Sequence, residues 1–351
     1  MEPVSVIIAS CNRADLLPET LASVVGALSA EDEIIVVDDG STDATRDVVC
    51  SASAPWQGCV RYIPLPSSGA GRAFNAGIAS ARHDLIAFAD SDDLWLPYRL
   101  ALERRVMESE RSLAYCFSNF SQLTASGQLI PHWLVEWSRD LRAWDEILAP
   151  GSRYADRWEL PATLPTADAD FRVHVGSMYH QQLQRNYMCV NTLLVRRSVV
   201  GEALQFGVDL PRLADWELYA RLTRSGDGAY LDVDTAVQRS HTGPRLSAGG
   251  ALPFAQSRLA IIERTWARDD VFMREHGAEV ESLLASTRRM LVRQLIRANR
   301  RDEARLMLQG HEGMVLEHLA LIVPPVIFAT LLKILTPMRR HTTAHFASHG
   351  Q

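Results

Sequence analysis

Short apolar runs alternate with helix-period segments through the first hundred residues. Val4-Ser5-Val6-Ile7-Ile8-Ala9 reads as a strand, and Leu17, Leu21, Val24, Val25 and Leu28 then recur at helical spacing, with Pro18 tolerated in a first turn. Glu33-Ile34-Ile35-Val36-Val37 is almost wholly apolar, the pattern of a parallel strand covered on both faces. Val60 to Ile63 is a weaker strand, Gly69-Ala70-Gly71 opens a helix through about Ser80, and Leu85 to Ala89 is another buried strand, followed by one at Ala114 to Phe117. This alternation predicts an α/β fold with a mainly parallel sheet flanked by helices. From about Asn119 to Met188 the pattern turns irregular and rich in large aromatics, with Trp133, Trp137, Trp144 and Trp158. Such a stretch is either a lid or binding loop or an insertion with its own small core. From Leu252 onward the pattern is helical, and Val280 to Leu308 carries Arg288, Arg289, Arg293, Arg297, Arg300 and Arg301 along an amphipathic stretch. Two regions are therefore expected: 1–250, containing an insertion at 119–188, and a helical C-terminal extension over 251–351.

What the strands end in changes the picture. Leu85 to Ala89 runs into Asp90-Ser91-Asp92-Asp93, three carboxylates within four residues. Like charges packed so closely repel unless a cation or hydrogen bonds compensate, and a hard divalent ion is a natural compensator. The alternative is a solvated acidic turn ahead of the helix that starts near Pro97. Asp38-Asp39-Gly40-Ser41-Thr42-Asp43 ends the earlier strand in the same manner. In an open parallel sheet both clusters would emerge at one carboxyl edge, where ligands bind. Between them, Gly69-Ala70-Gly71-Arg72-Ala73-Phe74-Asn75-Ala76-Gly77 combines permissive backbone, the free N–H groups of a helix start and a positive side chain.

Composition narrows the class. The chain has 351 residues, 47% hydrophobic and 22% charged, enough for a full core in one large domain with an appendage or in two domains. A formal net charge of -6 argues against nucleic acid as the main partner. The cysteines Cys11, Cys50, Cys59, Cys116 and Cys189 are scattered and form no CxxC pair, so a reducing cytosolic setting is expected. Met1-Glu2-Pro3 leads directly into a strand-like segment without a secretory-leader pattern. Leu319 to Leu332 is uncharged but short for a membrane span and interrupted by Pro324-Pro325, so a buried or interfacial element is expected there, with peripheral contact at the inner membrane face.

Together, Val4 to Arg13, Val36 to Asp43, Gly71 to Gly77 and Phe88 to Asp93 resemble, in order and spacing, the family 2 glycosyltransferases of the GT-A fold. The resemblance is close over roughly the first 120 residues and looser to about Ser247. It implies an inverting enzyme that moves a sugar from a nucleotide-diphosphate sugar, most simply a UDP-sugar, to a hydroxyl on a glycan or lipid-linked acceptor in surface polysaccharide or glycolipid synthesis. It also implies Mg²⁺ or Mn²⁺ as cofactor. Asp39 resembles the carboxylate that binds the donor base, with Ala9, Cys11 and Asn12 lining that pocket, and Arg72 and Asn75 resemble donor contacts. Asp90, Ser91 and Asp92 match the DxD segment, with Asp92 the metal ligand and Asp93 its alternate. Leu213 to Leu222 resembles the segment of the catalytic base, matched by Asp215, with Glu217 two residues on as the second candidate and helix capping as the other use of Asp215. Gln238 to Ser247 resembles an arginine-x-histidine segment in which His241 completes the metal shell and Arg245 approaches the diphosphate. Asn191 is expected to shape the acceptor side. Cys11 stands where relatives often carry an aromatic, and no Gln-x-x-Arg-Trp motif of processive synthases is present, which points to single addition. The competing classes are a metal-dependent nucleotidyltransferase and a non-catalytic sugar-nucleotide or glycan-binding protein.

Overall fold

The structure is a computed structural model, which describes residues 1–53, 60–241, 243 and 250–309. The chain divides into two compact units, residues 1–209 with 214–242, and residues 210–213 with 243–351.

In the first unit the strands are β1 (Val4–Ser10), β2 (Glu33–Asp39), β3 (Val60–Leu65), β4 (Leu85–Asp90), β5 (Leu94–Trp95), β6 (Tyr115–Leu123), β7 (Leu129–Ile130), β8 (Ser152–Arg153), β9 (Arg172–Gly176), β10 (Leu194–Arg196) and β11 (Gly228–Arg239). Its helices are α1 (Leu17–Val25), α2 (Thr45–Ser53), α3 (Ala70–Ser80), α4 (Arg99–Ser109), α5 (Leu134–Ser138), α6 (Trp144–Ile147), α7 (Tyr179–Gln184), α8 (Arg197–Val200) and α9 (Ala214–Ser225). The sheet runs β3-β2-β1-β4-β10-β6-β11-β9-β8, with β5 on β11 and β7 on β6. β3, β2, β1 and β4 are mutually parallel. The short β10 is antiparallel to both β4 and β6, while β6 and β11 pair in parallel, so β4, β6 and β11 point the same way.

Every residue of β2 is buried, as the unbroken apolar run requires. β1 lies between β2 and β4 with its register fixed on both sides: Ala9 faces Val37 on one and Asp90 on the other. The chain winds from β1 outward to β2 and β3, then crosses back to β4. The β1/β4 junction is thus a topological switch point, with its crevice at the carboxyl ends. α3 packs closely over β1 because residue 77 has no side chain: a Cβ on Gly77 would lie 2.3 Å from Ile7 Cγ2.

Two expectations change here. The strand expected over Ala114 to Phe117 continues to Leu123, because Ser118, Asn119, Ser121 and Gln122 are buried and hydrogen-bonded. And Trp133, Trp137, Trp144 and Trp158 form no separate core; they pack partly buried against the main one. Trp144 stacks on Tyr230 of β11 with ring centroids 3.7 Å apart.

The second unit contains α10 (Ala251–Arg264), α11 (Asp270–Arg297) and α12 (Arg301–Leu308). Ala255, Leu259, Leu291, Val292, Leu295, Ala304 and Leu308 form a separate small core. Asp269 caps α11, its carboxylate accepting from the backbone of Val271 and Phe272 at 3.2 and 3.1 Å. Among the described residues no helix is long and apolar enough to cross a membrane. Leu319 to Leu332 lies outside the described residues, as does Arg245.

Candidate functional site

The carboxyl edge of β1 and β2 is built from turn chemistry. Asn12, in the left-handed region at φ 53°, donates its backbone N–H to Ser41 Oγ (2.8 Å) and accepts from Thr42 N through Oδ1 (2.8 Å). Its side chain thus ties the β1–α1 loop to the β2–α2 loop. Asp39 is buried at the end of β2, where its oxygens accept from Ser68 N at 2.7 Å, Ser68 Oγ at 3.0 Å and Gly69 N at 2.8 Å. A carboxylate has about four acceptor sites, so one more donor fits there. Asp38 accepts from Ser41 N and Tyr62 OH. Gly40, at φ 76°, lets this turn approach the next loop; a Cβ there would meet Ser67 N at 2.7 Å. Cys11 is exposed, and its thiol is pushed up by burial of the sulfur and by the charges of Asp39 and Asp38, which places it beside both carboxylates.

Beyond β4 the three carboxylates face different ways. Asp93 turns inward: it is 3% exposed, and it accepts from Arg239 N at 2.9 Å and from Asn191 Nδ2 at 3.4 Å. Asn191, in a 3-10 turn at Val190–Thr192, also accepts from Trp95 Nε1 (3.0 Å) and Asp90 N (3.4 Å). Asp93, expected as an alternate metal ligand, and Asn191, expected on the acceptor side, thus share internal hydrogen bonds that shape the strand end. Ser91 is buried, with its carbonyl held by Thr20 Oγ1 at 3.1 Å.

Asp92 faces the crevice. Its Oδ2 accepts from His241 Nε2 at 2.9 Å and from Arg13 Nε at 3.3 Å. His241, from the end of β11, thus meets the DxD segment despite the long separation in sequence. Two donor atoms at adjacent octahedral positions, each about 2.1 Å from an ion, lie about 3 Å apart, so Asp92 and His241 fit one divalent ion of the Mn²⁺ or Mg²⁺ class. Behind them Arg239 donates to the Asp92 carbonyl (Nε, 2.6 Å), the Leu16 carbonyl (3.2 Å), Thr20 Oγ1 (3.0 Å) and Glu19 (2.6 Å). Arg13 and Arg239 carry roles that the motif reading did not assign. Two basic residues beside acidic strand ends were the available signal.

Asp215 lies in the first turn of α9, and Leu213, at φ 61°, precedes the helix. The side chain is thus one residue inside the helix rather than at its cap, and helix N-termini favour carboxylates. Burial pushes the Asp90 carboxyl well above the usual carboxylate range, reinforced by the charges of Asp93, Asp92 and Asp215 against the pull of Arg99. The Cys189 thiol is likewise pushed up by burial and by Asp90, Asp93 and Asp215. Asp215 is thus among the charges that act on Asp90 and Cys189. Glu217 instead turns into the protein, 4% exposed and paired with Arg221 at 3.3 Å.

Arg72 is exposed on the first turn of α3, beside a groove of about 410 Å³ also lined by Leu65, Ser68 and Val208. Asn75, expected to touch the donor, lines the same groove and clamps the backbone of Phe206: Nδ2 donates to its carbonyl at 2.9 Å and Oδ1 accepts its N–H at 2.7 Å.

Comparison with known proteins agrees with this architecture. Residues 5–161 match the model of Glycosyl transferase family 2. The putative teichuronic acid biosynthesis glycosyltransferase TuaG of Bacillus subtilis is 35% identical over 124 residues, 35% of this chain and 49% of that protein. The UDP-Glc:alpha-D-GlcNAc-diphosphoundecaprenol beta-1,3-glucosyltransferase WfaP of Escherichia coli is 33% identical over 120 residues, covering 34% of this chain and 47% of that one. The chain thus spans at most about half the length of these curated relatives. Among solved structures, S. aureus TarS 1-349 in complex with UDP-GlcNAc aligns with TM-score 0.55 at 16% identity, over 85% of this chain and 72% of that one. The mannosyltransferase PcManGT from Pyrobaculum calidifontis, in complex with GDP-Man and Mn2+, aligns with TM-score 0.53 at 13% identity, over 95% and 87%. Residues 5–161 are thus similar to glycosyl transferase family 2, and the fold is the GT-A fold of these structural neighbours.

Proposed function

We propose that this protein is a metal-dependent, inverting glycosyltransferase that moves a sugar from a nucleoside-diphosphate sugar, a UDP-sugar by preference, to a hydroxyl of a glycan or lipid-linked acceptor. The observation that carries the reading is convergence at the switch point. Asp92 and His241 meet across the ends of β4 and β11, and Asp215 on α9 acts on the same locus. The UDP-GlcNAc and GDP-Man complexes of the two structural neighbours support a nucleotide-sugar donor. The relatives' teichuronic acid and diphosphoundecaprenol names support a cell-surface glycan pathway.

In this reading Asp39 and Cys11 border the base pocket, and Asp92 and His241 hold the Mg²⁺ or Mn²⁺. That ion, when bound, supplies Lewis-acid stabilisation of the departing diphosphate. The acceptor oxygen attacks the anomeric carbon from the face opposite the diphosphate. Asp215 takes the hydroxyl proton, the new C–O bond forms, and the old bond's electron pair leaves on the β-phosphate oxygen. A carboxylate at a helix N-terminus suits that role.

A panel of sugar nucleotides screened by thermal shift identifies the donor, since a bound ligand raises apparent stability by mass action. With that donor, Asp215→Asn is expected to lower turnover by roughly 10²–10⁴-fold, the range for loss of a general base, while donor affinity stays near the parent value. Near-normal turnover refutes the assignment of the base. Release of pyrophosphate instead of a nucleoside diphosphate identifies a nucleotidyltransferase, and absence of any turnover with donors that bind identifies a binding protein.

A further inference from the structure

A single oxygen at this site does two jobs. Asp92 Oδ2 accepts from His241 Nε2 at 2.9 Å and from Arg13 Nε at 3.3 Å. All three side chains are well covered, with exposures of 15% for Arg13, 20% for Asp92 and 12% for His241. The Oδ2 lone pair engaged by the guanidinium N–H is not available to a metal held between that oxygen and His241, and a guanidinium at that place repels an incoming dication. The main chain beneath Arg13 is pinned. Its N–H donates to Thr45 Oγ1 at 3.1 Å, and the preceding Asn12 is held from both its N–H and its amide by Ser41 and Thr42. Only the side chain beyond Cα is left to move.

We propose that Arg13 is the resident counter-cation of Asp92: a divalent ion displaces it, and the displaced guanidinium pairs with the donor's diphosphate. The inference rests on the metal and nucleotide-sugar reading above. Before metal arrives, Arg13 is paired with Asp92 at 3.3 Å in an acidic turn that also holds Asp90 and Asp93. When an ion takes Asp92 Oδ2, the guanidinium loses that ion pair in a partly covered place. The diphosphate that enters with the ion is the replacement, and a planar guanidinium matches phosphate oxygens well. Metal and donor therefore help each other bind through Arg13, in addition to any direct contact between them. By linkage the effect is reciprocal.

The test measures Mn²⁺ binding to the full chain by the paramagnetic resonance signal of the free ion, with and without UDP. Arg13→Gln is expected to bind Mn²⁺ alone about two- to fivefold more tightly than the parent, the scale of one partly exposed ion pair. Its gain in Mn²⁺ affinity on adding UDP is expected to be smaller than the parent's by a similar factor. Arg13→Lys, which keeps the charge, is expected to stay near the parent. An Arg13→Gln protein whose affinity for Mn²⁺ alone is unchanged or weaker overturns the proposal. Asp92→Asn separates the two levels of the argument. If it keeps the parent's Mn²⁺ affinity, the metal reading fails and the role of Arg13 with it. If it loses Mn²⁺ while Arg13→Gln matches the parent, the metal reading stands and only the role of Arg13 is refuted.

Discussion

Replacing Arg239 by methionine probes whether the site is held from behind. The side chain is 8% exposed, and its guanidinium joins four groups from two parts of the chain: the Leu16 carbonyl, Glu19 and Thr20 of the α1 region, and the Asp92 carbonyl. The contributions are unequal. Glu19 is 73% exposed, so water screens that ion pair and its loss costs little. The two carbonyls and the Thr20 hydroxyl are another matter, since hydrogen bonds to a charged donor contribute roughly 1.5–3 kcal/mol each. They share one guanidinium, so their losses do not add. Methionine keeps the apolar stem but leaves these acceptors unmatched, and an overall loss of about 2–4 kcal/mol follows, close to what truncating a buried charged partner costs. The backbone N–H of residue 239 still reaches Asp93 in the variant, so the effect reports the side chain alone. Urea unfolding is the assay, read as the transition of the first unit because the second has its own core. The loss is expected together with weaker Mn²⁺ binding, since Asp92 and His241 flank the same network. Arg239→Lys is expected to recover only part, because one ammonium cannot reach acceptors spread over so wide a fan. A loss below about 1 kcal/mol, or full recovery by lysine, refutes the reasoning.

Two further outcomes follow from packing and burial. Gly77→Ala places a Cβ 2.3 Å from Ile7 Cγ2 and is expected to cost about 1–3 kcal/mol; in an Ile7→Ala background that cost should vanish, and an equal cost in both backgrounds refutes the clash. Glu103, fully buried against Arg99, has its carboxyl raised from 4.5 to about 7 by desolvation that outweighs the attraction of Arg99. The folded state therefore holds that proton more tightly than the unfolded chain. The contribution to stability is complete below about pH 4.5 and is lost as pH rises through about 7. Denaturation midpoints of Glu103→Gln measured across that interval should fall less steeply with rising pH than those of the parent; parallel profiles refute the assignment.

The sheet's parallel half was legible because its strands are unbroken apolar runs that end in turn residues, and both acidic clusters emerge where those runs stop. The other half was not. β6 continues past Phe117 through Ser118, Asn119, Ser121 and Gln122, whose polarity reads as loop until β11 supplies partners: Thr235 for Ser118, Asp234 for Ser121, the Gln238 carbonyl for Gln122. β11 itself carries Asp232 and Asp234 and shows no apolar run of the expected kind. Within the site, the residue types near each strand end were visible but their directions were not. Asn75, Asp93 and Asn191 could face either a ligand or the backbone, and their partners, Phe206, Arg239 and Trp95, come from distant segments. Arg239 was hidden for a related reason: it bonds backbone carbonyls, which leave no mark in a sequence.

The three-residue β10 reverses direction between two parallel blocks, and in doing so it sets an order of events during synthesis. β11, the last strand to emerge, inserts between β6 and β9 and not at an edge. A nascent chain can therefore close β1 to β4 early, from contacts of short and middling range. β6 stays without its parallel neighbour until residue 239 has left the ribosome, and long-range pairings of this kind slow folding and leave strand edges open meanwhile. Asp215, Arg239 and His241 belong to that late segment. The crevice thus acquires the Asp215 carboxylate, the Arg239 brace and the His241 imidazole in the closing step of folding, well after the ends of β1, β2 and β4 are in place.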